Sequence, residues 1–261
     1  MKIENDKYYT PKELAKELID KTFEIIGKEN ITEIIEPSAG AGAFSSQLDC
    51  IAYDIEPEAP GIIKQDYLTS FLWKKKGRLV IGNPPFGNSN WLIIKFWEKS
   101  IEIADYIAFI LPISFLNNNI RLYQFNLVYS EDLGKRDYSG VNLHCCFNIY
   151  KRPDNGLNKK PNYRMDNIKF IEYRRTKTSD PSKIPAGWDY AFCNWGNGSF
   201  GKVPEYVGQY AQEIYVYIKD KEIKDKVIEL LSFDNLRNKF KSISAMKASV
   251  MAISRYIQEN L

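Results

Sequence analysis

Apolar positions in the first half of the chain fall into short runs separated by helix-spaced segments. Leu14, Leu18, Ile19 and Phe23 recur at helical spacing behind Thr10-Pro11-Lys12-Glu13. There Thr10 reads as a cap, Pro11 as the first helical residue and Glu13 as the partner of a capping box, so a helix is predicted over residues 10–27. Strands are predicted at Glu33–Glu36, Ile51–Asp54, Ile62–Asp66 and Arg78–Gly82. A helix from about Ser89 to Ala104 leads into a buried strand at Tyr106–Leu111, stopped by Pro112. Val141–Tyr150 closes this block as its last strand. Strands alternating with helices predict an α/β fold, a doubly wound and mostly parallel sheet.

Beyond Lys151 the pattern changes. Pro, Asn, Gly and basic residues dominate to about Lys202. A strand follows at Ile214–Ile218, with helices near 220–231, 233–241 and 246–260. These signals divide the chain into residues 1–152 and a small α+β region, 153–261.

Composition narrows the class. The 261 residues are 44% hydrophobic and 26% charged, as in a soluble globular protein with one large domain or two modest ones. No apolar run reaches the ~18 residues of a membrane span, and the N-terminus has no signal-peptide pattern. With one His and no CxxC among Cys50, Cys145, Cys146 and Cys193, neither a metal cage nor a disulfide framework is indicated. A metal-free protein in the cytoplasm is the expectation. Net charge is only +3, but residues 151–183 hold ten basic residues against four acidic ones. Lys151, Arg152, Lys159, Lys160, Arg174 and Arg175 belong to this stretch, which reads either as a phosphate-facing patch or as a solvated loop.

Four features fall at the carboxyl ends of predicted strands, the edge where open parallel sheets bind ligands. Asn83-Pro84-Pro85-Phe86 is the sharpest. Its consecutive prolines lock the backbone and remove two amide donors, leaving carbonyls and the Asn amide to accept hydrogens from an NH2 group. Phe86 adds a flat face. The same residues would also serve as a tight turn. The small-residue turn Glu36-Pro37-Ser38-Ala39-Gly40-Ala41-Gly42 lets a ligand approach the backbone, although it lacks the GxGxxG spacing of dinucleotide enzymes. Asp54 can bond both hydroxyls of a ribose or simply be solvated surface. Asp66 can accept from an adenine amine or cap a helix.

Together these motifs make residues 8–150 resemble the S-adenosylmethionine-dependent N6-adenine DNA methyltransferases, which have a Rossmann-like fold. The resemblance implies that Tyr9, Thr10 and Pro11 line the methionine end of the cofactor. It implies that Glu36, Pro37, Ser38, Gly40 and Gly42 form the cofactor loop, with Asp54 on the ribose and Asp66 on the cofactor's adenine. Asn83, Pro84, Pro85 and Phe86 would be the catalytic NPPF. The motif order is similar to that of the gamma class, in which target recognition follows the catalytic domain. The family also places an aromatic residue before the final strand, against the other face of the extruded base. Tyr138, in the expected loop Lys135–Gly140, is the candidate, with Phe147 as the alternative. His144 on its apolar strand reads as structural.

The implied partner is double-stranded DNA, with Lys241 and Lys247 adding phosphate contacts, and a cognate restriction endonuclease or a phage modification system as the setting. Trp188, Tyr190, Phe192 and Trp195 read as a base-reading loop or as a small second core. Alternatives stay open: an RNA adenine or a protein glutamine amide as acceptor, or an inactive DNA-binding module of the same fold. Glu222-Ile223-Lys224 superficially resembles half of a nuclease site but sits in a predicted helix. Oligomeric state and target sequence are not encoded legibly.

Overall fold

The computed structural model describes residues 8–118, 120–138, 140–240 and 248–261. The chain divides into two compact units, Met1–Pro161 and Asn162–Leu261.

The first unit is built on a seven-stranded sheet. Its strands are β1 (Glu33–Glu36), β2 (Ile51–Asp54), β3 (Ile63–Lys64), β4 (Arg78–Gly82), β5 (Tyr106–Pro112), β6 (Asn126–Tyr138) and β7 (Val141–Lys151). They lie in the order β3-β2-β1-β4-β5-β7-β6. β1 to β5 pair in parallel, whereas β7 runs antiparallel to both β5 and β6. The sheet is therefore the expected doubly wound, mostly parallel one. Its strand order reverses between β1 and β4, which opens a crevice at their carboxyl ends.

Two helices cover the faces, α1 (Lys12–Ile26) and α2 (Trp91–Ile103). Alternation along β4 and β5 feeds both. Leu79, Ile81, Ala108 and Ile110 pack with Leu14, Leu18 and Ile19 of α1. Val80, Ile107, Phe109 and Leu111 pack with Ile93, Phe96 and Trp97 of α2. A strand buried on both faces is expected to be nearly continuously apolar, and β4 after Arg78 and β5 are.

Three expectations are corrected. The capping box does not form: Pro11 is the residue before the helix and no side chain caps it. The regular strand–helix alternation is absent between β1 and β4, where turns and a single 3-10 segment make the crossovers. Behind β1, Gly40 and Gly42 both take positive φ, at 51° and 77°, and the chain proceeds by turns to β2. Finally, the loop expected at Lys135–Gly140 is mostly strand. β6 runs to Tyr138, with register irregularities between Leu127 and Tyr129 and between Asp132 and Lys135. Its charged, half-exposed sequence hid it, because β6 is an edge strand paired to β7 alone.

The second unit holds a three-stranded antiparallel sheet, β8 (Ile168–Arg174), β10 (Gln212–Ile218) and β9 (Tyr190–Cys193), in that order. Helices α3 (Lys224–Leu230), α4 (Phe233–Lys239) and α5 (Val250–Gln258) complete it. One sheet face packs Phe192, Ile214 and Val216 against Val227, Leu236 and Ile253. The other face buries Glu213, which accepts the Gly208 and Tyr210 amides at 2.8 and 2.6 Å and the Tyr215 hydroxyl. Among the described residues no helix is long and apolar enough to cross a membrane.

Candidate active site

A cavity of about 630 Å³ opens at the carboxyl edge of the sheet, in the crevice between β1 and β4. Its volume is that of a typical small-molecule site. Its walls come from the segment before α1 (Tyr8, Tyr9, Thr10), the turn after β1, the end of β2, the loop after β3, and Asn83-Pro84-Pro85 after β4.

The turn after β1 is shaped by close contacts. A Cβ on Gly40 would lie 3.1 Å from the Tyr9 ring. Tyr9 reaches further, its hydroxyl donating to Glu58 on the loop after β2. Asp54 holds the turn from the other side: its two carboxylate oxygens accept the Gly40 and Glu56 amides at 2.7 and 2.8 Å. Glu36, at the end of β1, is 1% exposed and accepts the Ser45 amide at 2.8 Å. Burial pushes its carboxyl up to about 7, against the lowering effect of the Ser45 bonds, and the charge of Asp54 adds to the rise. Asp66 caps the short 3-10 segment Tyr67–Thr69 by accepting the Leu68 amide at 2.9 Å, and it also lines the cavity. The two roles weighed for it are compatible.

Asn83 is held most specifically. Its Nδ2 donates to the Tyr8 carbonyl at 2.9 Å and to the Thr10 hydroxyl at 3.3 Å. A carbonyl can only accept, so the amide orientation is fixed by chemistry. The Asn83 carbonyl takes the Ser38 hydroxyl at 3.1 Å, tying the β1 and β4 loops together. Oδ1 is buried and has no partner among the described residues. Thr10, expected to cap a helix, instead orients Asn83.

Several predicted residues are not brought to this cavity. Tyr138 is fully buried in the core against α1 and does not line it, because the alternation of β6 points this side chain inward. Its hydroxyl meets no good hydrogen-bond partner, and burial pushes its pKa up, with the Cys145 thiol beside it. Phe147 is equally buried. Phe86 is partly buried against both core clusters, with its ring 5.8 Å from that of Tyr8. Pro11 and Gly42 adjoin cavity residues but do not line the cavity.

The basic residues also separate. Lys151 pairs with Tyr106, the first residue of β5, and so lies at the sheet edge opposite the cavity. Arg152 is committed internally. Its guanidinium donates to the Ile101 and Ala104 carbonyls at the end of α2, pairs with Asp105 at 3.1 Å and lies over the Phe125 ring. It stabilises a helix terminus rather than offering charge to phosphate. Lys159 and Lys160 are exposed. In the second unit Arg174 is exposed beside Glu172, and Arg175 points to the Gly208 and Gln209 carbonyls. Lys241 and Lys247 lie outside the described residues. Phe192 is core and Tyr190 packs on it, whereas Trp188 and Trp195 are about two-fifths exposed, at 37% and 42%.

Sequence reasoning missed Tyr67, Leu68, Trp91, Leu92 and Phe96, which form the apolar wall of the cavity. The signal was present: Leu92 and Phe96 stand one helical turn apart, directly behind the NPPF loop.

No protein-family model matches the chain. A Type II methyltransferase, M.CvrRI of Paramecium bursaria Chlorella virus XZ-6E, is 26% identical over 210 residues, covering 63% of this chain and 53% of that protein. The chain thus spans about half the length of the curated relative it matches. Among solved structures, a protein described as a class I S-adenosylmethionine-dependent methyltransferase from Listeria monocytogenes aligns with a TM-score of 0.46 and 13% identity, covering 58% of this chain and 63% of that one. One described as an RNA methyltransferase from Pyrococcus horikoshii aligns with a TM-score of 0.46 and 17% identity, over 58% and 89% of the two chains.

Proposed function

We propose that the chain is a methyltransferase that uses S-adenosylmethionine and methylates the N6 amine of adenine in DNA. The observation that carries this reading is the buried Oδ1 of Asn83, oriented by Tyr8 and Thr10 and left without a partner. A buried acceptor costs free energy unless a ligand donates to it. An exocyclic amine is such a donor.

The cavity fits the cofactor in three ways. The Gly40 turn presents bare backbone. Asp54 stands where hydroxyls of a ribose can be accepted, and Leu68, Leu92 and Phe96 offer apolar walls beside Asp66 for a purine. When bound, S-adenosylmethionine supplies an electrophilic methyl group on a sulfonium.

The chain's own residues act on the acceptor. Asn83 Oδ1 and the Pro84 carbonyl accept the two amine hydrogens, which draws the nitrogen lone pair out of conjugation with the ring. The Pro84-Pro85 pair has no amide hydrogens, so no donor competes for that nitrogen. Positive charge developing on nitrogen is stabilised by the two oxygens, and one amine hydrogen leaves as a proton to water. Catalysis rests on positioning, without a covalent enzyme intermediate. An adenine within a duplex must first leave the stack.

Support for DNA comes from the similarity to a Type II methyltransferase and from the exposed Lys159, Lys160 and Arg174. In this reading the chain modifies DNA, and a cognate endonuclease would be its counterpart. The test is labelled methyl transfer to mixed-sequence duplex DNA with nucleoside analysis. N6-methyladenine is the expected product. Cofactor binding without transfer to DNA, but with transfer to RNA or to a glutamine amide, would overturn the choice of acceptor.

A further inference from the structure

An acceptor ring leaving a base stack needs an aromatic face to replace it. Among the described residues the cavity wall contains six aromatics: Tyr8, Tyr9, Phe44, Tyr67, Trp91 and Phe96. Phe44, Tyr67 and Phe96 belong to the buried core. The Tyr8 ring packs with Phe86, and the Tyr9 ring lies against Gly40. Trp91 differs from all of these, being 52% exposed while lining the cavity.

Its position is built. Between Phe86 and Trp91 the backbone takes positive φ at Gly87 (68°), Ser89 (56°) and Asn90 (63°). Asn90 is a residue type that enters this region readily, but Ser89 is not, and its conformation persists only where the surroundings enforce it. Arg121 donates to the Ser89 carbonyl at 3.3 Å. A Cβ on Gly87 would lie 2.9 Å from Cδ1 and Nε1 of the indole, so the missing side chain is the space the indole uses. The strained turn thus seats Trp91 directly beside the NPPF loop.

We propose that Trp91 is the stacking platform for the ring of the acceptor base, the role that sequence alone assigned to Tyr138. The inference rests on the methyl-acceptor reading above and names the residue that grips the acceptor. Because Trp91 is half-exposed, its truncation leaves the core intact.

The test compares wild type with Trp91→Ala and Trp91→Phe, using labelled S-adenosylmethionine and mixed-sequence duplex DNA. KM for DNA, kcat and the Kd for S-adenosylmethionine by calorimetry are measured on each. Trp91→Ala is expected to raise the DNA KM by about tenfold or more, the scale of one lost base stack, and Trp91→Phe to recover most of it. The Kd for the cofactor is expected to stay within about twofold, because the lost contact is to the acceptor. An unchanged DNA KM overturns the proposal, as does a loss confined to cofactor affinity, which would place Trp91 at the other ligand. Wild type that binds cofactor but methylates no DNA overturns the functional reading itself, an outcome distinct from either.

Discussion

Two asparagines in the first unit have the same side chain and opposite situations. Asn148, in the middle of β7, is fully buried and fully paired. Its Nδ2 donates to the Phe115 carbonyl at 2.8 Å and the Tyr150 hydroxyl at 2.9 Å, and its Oδ1 accepts from Ser130 at 2.7 Å. Asn83 is equally well held through Nδ2, but its Oδ1 has no partner among the described residues. The first arrangement consumes every polar group to fasten a loop and β6 to the sheet. The second spends only the donor half on positioning and reserves the acceptor. Asn194 in the second unit shows the same asymmetry, donating to the Ala248 carbonyl with its Oδ1 unpaired, but only Asn83 lines the cavity, so it is the unpaired acceptor and the cavity together that mark an amide able to meet a ligand.

The contrast can be broken by exchange of function for stability. Asn83→Ala is expected to lower methyl transfer by about a thousandfold, or about 4 kcal/mol, with thermal stability nearly unchanged. Activity within tenfold of wild type in the purified variant would remove Asn83 from the chemistry. Asn148→Ala is expected to do the reverse. It strands the buried Phe115 carbonyl and Tyr150 hydroxyl and should cost about 3 kcal/mol of stability in urea unfolding, with transfer by the folded fraction retained. If its denaturation midpoint does not move, the pairing around Asn148 carries no weight.

Glu36 sharpens the comparison, because it is a buried acid at the cavity, held by donors from Ser45 and the Phe44 amide. Its carboxyl is raised to about 7, mainly by burial. A raised acid favours the protonated fold. The stabilisation is therefore complete below the ordinary carboxylate range and is lost as pH climbs through about 7. The free protein should lose up to about 3 kcal/mol across that window, an upper bound from the size of the shift. Glu36→Gln should flatten the profile in thermal scans between about pH 5 and pH 8. A cationic ligand in the cavity should bind more tightly at the upper end of this range, where Glu36 is ionised. An equally steep profile in the variant would assign the titration elsewhere.

Tyr138 gives the smallest expected effect. Its hydroxyl is buried without a good partner, so Tyr138→Phe should change both stability and transfer by less than about 0.5 kcal/mol. A large loss of transfer would return Tyr138 to the acceptor site and displace Trp91 from it.

The strands of the sheet centre were legible because both faces are buried and their sequences hold short apolar runs between polar or charged ends. β1, β2, β4, β5 and β7 all stand where the runs place them. β6, β8 and β9 were not legible. β6 mixes Ser130, Glu131, Asp132, Lys135, Arg136 and Asp137 with few apolar residues and contains irregular pairing, so no period of two survives. The chemistry of the cavity was legible in its backbone-shaping residues, Gly40 and the Pro84-Pro85 pair, since conformational restriction is local. What Thr10 and Arg152 do was not. Each is claimed by a distant element, Asn83 in one case and the end of α2 in the other, and local rules predicted a cap and a phosphate contact instead. Trp91 was hidden for a related reason: its seat is made by a strained turn, and although Asn90 tolerates the left-handed region, no propensity predicts it for Ser89.

The crossovers from β1 to β4 contain no α-helix, and β3 consists of Ile63 and Lys64 alone, both exposed. Few native contacts therefore secure this margin of the sheet, and its amide protons should exchange early, through openings that leave the rest intact. Asp54 and Asp66 flank that margin. A ligand held by both would act as a removable stitch, its binding free energy appearing in part as slowed exchange along Tyr53–Gln65, including the residues between the two acids that it does not touch.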